Sequence, residues 1–313
     1  MKRAVKKLLV VTSIAAGMGG IFTAPALAGS LTNSTIVGSQ VKIGGSAADD
    51  YYVYDSNDDN TFKVDSTQAN VQRVLDGNAG NPTGNVELAS GSEGNGFDFT
   101  KNTTLEGEVG GQDIILSSLT EDDWARDMGG GMTFGQSWFN EVLMANGFNS
   151  LVGNDSIFNI FKFQGGFQRF SDPNISYVNQ DSSGDINIGL AGHFDATDLL
   201  VKALNPWGEQ GANQFEIFLN RLRNPNKRGA KIQASEVVKV TYGGETEYLY
   251  SFKATETGLT DIDDDFSHNG NYQVTFTSAP DFSRARKVPE PSVMLGLLSV
   301  AGIFVSKRRE NKA

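Results

Sequence analysis

The chain has 313 residues, with 26 Lys and Arg against 37 Asp and Glu, a net charge of −11, and no cysteine. The lack of thiols excludes disulfides, thiolate catalysis and cysteine-based metal sites, and the acidic balance argues against nucleic acid as a partner. With 39% hydrophobic and 10% aromatic residues, the chain is nonetheless too apolar to read as disordered.

In chain order, residues 1–28 come first. Lys2, Arg3, Lys6 and Lys7 form a basic start, Leu8 to Phe22 an apolar run, and Ala26-Leu27-Ala28 a small-x-small cleavage site. These three parts make a secretory signal peptide cut between Ala28 and Gly29. A permanent membrane helix fits less well, because Gly17, Gly19, Gly20 and Pro25 interrupt the run. Without the four basic residues of this segment, and without the last 21 residues, 18 basic and 36 acidic residues remain, a net of −18.

The exported body, 29–287, is predicted to be α+β: an antiparallel β-sandwich-like domain with a central helical segment. Over 29–119, short apolar runs alternate with turn residues. STIVGSQVKI, DYYVYD, TFKV, NVQRVL, NVELAS, GFDFT, TTLEGEV and QDIILSSL are the candidate strands. Helices are expected over 120–230. Thr120 and Asp123 have capping-box spacing, and QSWFNEVLMANG sets Trp138, Val142 and Ala145 on one face and stops at Gly147. SIFNIFKFQ fits strand or helix. DATDLLVKALNP and NQFEIFLNRLRNP read as helices, the second with Phe215, Phe218, Leu219 and Leu222 as its stripe. Strands return over 231–280, with a hairpin around Gly243-Gly244. Val238, Val240 and Tyr242 share one face there, and Tyr248, Tyr250 and Phe252 the facing one.

Residues 288–313 are a second signal. Val288, Pro289, Glu290, Pro291 and Ser292 precede an uncharged run, Val293 to Val305, and a basic tail at 307–312. At roughly 1.5 Å per helical residue the run spans about 20 Å, a short single transmembrane helix. The basic tail keeps its own end in the cytoplasm and the body outside.

This layout resembles the PEP-CTERM sorting signal of Gram-negative bacteria, with Pro289, Glu290 and Pro291 as the triplet and Arg308 and Arg309 in the tail. The resemblance covers about the last 25 residues. It implies export, an inner-membrane intermediate, and processing by signal peptidase and an exosortase. Release to the cell envelope or extracellular matrix follows, with a polysaccharide matrix as a further partner. FQRFSDPNISYVNQ and IGLAGHFDA are also similar to stretches of uncharacterised cyanobacterial PEP-CTERM proteins, which brings no activity with it.

Catalytic signatures are missing: no H-E-x-x-H, no G-x-S-x-G and no phosphate-binding glycine loop, with only His193 and His268 as imidazoles. The body is therefore read as non-catalytic and without an organic cofactor. The alternative is a carbohydrate- or calcium-binding surface module. Asp55, Asn57 and Asp59 occupy positions 1, 3 and 5 of a calcium-loop pattern, as do Asp261, Asp263 and Asp265. Both loops lack the turn glycine and the closing glutamate, so weak binding is the most they predict. An exposed ring from Trp138, Trp207 or Tyr248 would favour the carbohydrate version.

Overall fold

The computed structural model describes residues 29–77, 82–90, 96–197, 231–263 and 267–277. Its elements in order are β1 (Gly29–Ser30), β2 (Thr32–Val37), β3 (Tyr51–Ser56), β4 (Asn60–Val64), α1 (Gln68–Leu75) and β5 (Gly84–Leu88). Next come β6 (Thr104–Val109), β7 (Gln112–Ser117), α2 (Glu121–Ala125), α3 (Phe134–Ala145) and α4 (Asp155–Phe163). The last are β8 (Asn174–Gln180), β9 (Ile186–Gly192), β10 (Val238–Tyr242), β11 (Glu245–Leu249), β12 (Thr255–Glu256), β13 (Thr260–Asp261) and β14 (Gly270–Phe276).

The strands form two sheets. The larger runs β12-β14-β9-β8-β5-β3-β4-β13, with β1 also on β8, and the smaller runs β11-β10-β7-β6-β2. Neighbours are antiparallel except β13 and β4, which run parallel. Val86, Ile175, Ile188 and Val274 of the larger sheet share one core with Leu105, Ile114, Leu116 and Val240 of the smaller. Tyr242 and Phe276 bridge the two sheets edge to face, ring centroids 5.9 Å apart. The expected mixed α+β, mostly antiparallel architecture is what the chain forms.

A second, aromatic core lies under the helices. Trp124, Phe134, Trp138, Phe139, Phe161 and Phe167 pack there with Tyr248 and Tyr250. Capping fixes where these helices start. Thr120 and Asp123 close the predicted box at α2, and Thr133 with Gln136 closes another at α3. At the end of α3, Gly147 adopts φ 79°, the Gly147 amide donates to Met144 and the Phe148 amide to Leu143. This is a Schellman stop at the predicted glycine.

Several expectations change. NVQRVL is helix, not strand: Thr67 Oγ1 caps the Asn70 amide, and Val71, Val74 and Leu75 point at helical spacing into the sandwich core. GFDFT contributes only an isolated bridge from Phe97 to Lys42. Of the predicted face of α3, Trp138 is buried and Val142 packs half-buried against the core, while Ala145 is exposed and Phe134, Phe139 and Leu143 complete the buried stripe. SIFNIFKFQ is the helix α4. The region 120–230, expected to be helical, also carries the β8–β9 hairpin at the centre of the larger sheet. The Gly243-Gly244 hairpin forms with both glycines at positive φ, 59° and 82°, as a two-residue turn of this hand requires. Its register pairs Tyr248 with Lys239 and Leu249 with Val238, so Tyr248 faces away from Val238, Val240 and Tyr242.

No helix among the described residues is long and apolar enough to cross a membrane. The predicted span 293–305 lies outside them. So do the predicted signal peptide with Ala26 and Ala28, the predicted helix DATDLLVKALNP beyond Thr197, the predicted helix NQFEIFLNRLRNP, Trp207, and the processing residues Val288, Pro289, Glu290, Pro291, Ser292, Arg308 and Arg309.

Candidate functional site

The two predicted calcium loops lie about 200 residues apart in sequence, yet the fold sets them side by side. β13 pairs with β4, matching Thr260 to Asn60 and Asp261 to Thr61, and Asn60 Nδ2 donates to Thr260 Oγ1 at 3.2 Å. Their oxygens are largely engaged with protein groups. The Asp55 carboxylate is ion-paired with Arg73 of α1. Asn57 Oδ1 accepts the amides of Asp59 and Asn60 at 3.0 and 2.8 Å, a turn made by the side chain itself. Asp261 is buried, and its Oδ1 accepts the Asp263 amide at 3.3 Å. Asp59 is exposed, and Asp265 lies outside the described residues. Among the described residues, no three His, Asp or Glu side chains are grouped to hold a metal ion.

A different set of acids gathers on the face of the larger sheet that points away from the sandwich core. The register pairs Glu87 of β5 with Asn174 of β8 and with Tyr52 of β3, which puts the three on one face. Tyr54, two residues on, donates from its hydroxyl to Glu87 Oε2 at 3.1 Å. Glu236, just before β10, accepts the Asn174 backbone amide at 2.7 Å and the Asn174 side-chain amide at 3.3 Å. The side-chain oxygens of Asn174 and Asn85 are buried with no hydrogen-bond partner.

The electrostatics follow from this crowding. Burial first, then the charges of Asp172 and Glu87, push the Glu236 carboxyl well above its ordinary value, against the two Asn174 donors that pull it down. Burial and the Glu87 carboxylate likewise push the Tyr54 phenol up. The arrangement therefore keeps the Glu236 carboxyl neutral to a higher pH than an ordinary glutamate, beside other acids. Sequence reasoning missed it. Glu87, Asp172 and Glu236 come from three separate segments and become neighbours only through the pairing of β5 with β8 and the return of the chain before β10.

Asp123 shows the opposite balance. Burial alone would raise it, but hydrogen bonds from Lys239 Nζ at 2.8 Å, Tyr248 Oη at 2.6 Å and the Thr120 amide at 3.0 Å hold its carboxyl below the ordinary value. These bonds tie α2 to the outer face of the β10–β11 hairpin. The group is structural, with every oxygen satisfied. Tyr248 and Trp138 are both buried, so neither supplies the open aromatic platform that would favour a carbohydrate-binding module.

No protein-family model matches the chain, and no curated protein or solved structure matches it significantly.

Proposed function

We propose that this is an exported cell-envelope or matrix protein, sorted through its C-terminus by an exosortase-type system, with a non-catalytic body. The observation that carries the reading is the succession Pro289-Glu290-Pro291, apolar Val293 to Val305 and basic Lys307 to Lys312, in a chain that opens with a signal-peptide pattern. The fold is compatible with cuts at both places. Gly29 pairs with Gln180 in β1, so cleavage after Ala28 keeps the paired residues Gly29 and Ser30 in the mature chain. The last described strand in the chain, β14, ends at Phe276, well before Pro289. Processing at the triplet would therefore spare every described strand of both sheets.

Intact mass of the native protein, recovered separately from envelope and medium, tests this. The expected species starts at Gly29 and ends near the Pro-Glu-Pro triplet, with or without added mass. A species that retains residues 293–313 in every fraction overturns the sorting reading and makes the protein an anchored surface domain.

A further inference from the structure

We propose that the cleft between α2, the start of α3 and the end of α4 binds a neutral saccharide chain. This site is independent of the sorting reading above. The cleft holds about 700 Å³, within the range of pockets that take small ligands. Its rim carries Phe163, which is 80% exposed, the most exposed large hydrophobic side chain among the described residues. That exposure is unusual here, because Phe161 and Phe167, two and four residues away, are buried in the aromatic core. Leaving a phenyl ring in water forgoes the stabilisation that burying it would contribute. The ring is thus available for a ligand, and the half-buried Phe158 extends the aromatic lining inward.

The remaining wall mixes the apolar Phe99, Trp124, Ala125 and Phe167 with polar groups, and it is almost without net charge. Gln136, Gln164 and Gln168 all line it. Gln136 spends its side-chain oxygen on the Thr133 amide, so its NH2 group is the part it can offer to a ligand. Gly165 allows the Gln168 amide in close, since a Cβ there would sit 2.9 Å from Gln168 Oε1. Glu121 and Lys162 contribute one charge of each sign. Carboxamides offer donors and acceptors together, the match for vicinal hydroxyls, and flat rings suit the C–H faces of a pyranose. An acidic polymer is disfavoured by the surplus of acids on the body, and a purely apolar ligand would strand the amides. A proline-rich peptide also stacks on aromatic rings, but it offers carbonyls and few donors to three carboxamides.

Affinity electrophoresis of the purified full-length chain tests the site, with hydroxyethyl cellulose, galactomannan and dextran as neutral probes and alginate as the acidic one. Retardation by at least one neutral polymer and none by alginate is expected. Phe163→Ala should weaken that retardation tenfold or more, and Phe163→Trp should keep it. Because Phe163 is exposed, neither change should alter the far-UV circular dichroism. The proposal falls if none of the three neutral polymers retards the chain, or if alginate does. It also falls if Phe163→Ala binds as the parent does, or if a proline decapeptide binds instead.

Discussion

Burial and the nearby charges of Asp172 and Glu87 set the ionisation of Glu236, and its pH consequence has a definite sign. Its folded-state value is raised, so between the ordinary 4.5 and that raised value the unfolded chain releases a proton that the folded chain keeps. Stability contributed by this group is therefore full below 4.5 and declines as pH rises through that window. Glu236→Gln removes the titration while keeping an oxygen for the Asn174 amide. Thermal melts at pH 5 and pH 8 should show a higher melting temperature than the parent at pH 8 and a flatter pH dependence. A variant that loses stability equally at both values would mean that Glu236 is held as a carboxylate. Asp123 contributes in the opposite direction: its depressed value adds stability that is lost only as pH falls below 3.8.

At the level of elements, the parts legible in the sequence are those set by neighbours in the chain. The Thr120–Asp123 box, the Gly147 stop and the Gly243-Gly244 turn each need only a few consecutive residues, and each forms where expected. NVQRVL misleads because valines favour strands, while the cap at Thr67 and the burial of Val71, Val74 and Leu75 on one helical face decide otherwise. The hairpin β8–β9 was illegible for another reason. Its strands are buried almost throughout, so polar residues such as Asn174, Ser176 and Asn179 interrupt any simple alternation. Gly189 belongs to the same long-range logic, since the Tyr177 ring lies directly over it. A Cβ there would come within 2.1 Å of Tyr177 Cε1 and 2.4 Å of Ser176 Oγ. Both side chains are fully buried, so Gly189→Ala should cost about 2–3 kcal/mol by overpacking, measured by urea unfolding. Gly192→Ala is the control: its Cβ would meet Tyr272 at 3.3 Å and should cost under about 1 kcal/mol. Equal losses at the two glycines would show that the strand resists any side chain there, whatever lies opposite.

For the molecule as a whole, the β10–β11 hairpin decides whether the sandwich and the aromatic core behave as one unit. Val238, Val240 and Leu249 belong to the sandwich core, whereas Tyr248 and Tyr250 belong to the aromatic one. Lys239 adds its ion pair to Asp123 across the same boundary. A core fed by both faces of one hairpin has no free plane along which to part, so the two should unfold in a single transition. The tryptophans make this measurable. Trp124 and Trp138 lie in the aromatic core, and Trp207→Phe removes the third, so the fluorescence of that variant reports on the helical side alone. Circular dichroism of the same samples follows the strands and helices together. Coincident urea midpoints are expected for the two signals. An added Trp138→Ala, at a cost of about 3–5 kcal/mol, should move both midpoints down together. If fluorescence is lost at lower urea than the dichroism, the aromatic core opens separately, and β10–β11 then serves as a hinge between two stabilities rather than as a shared wall.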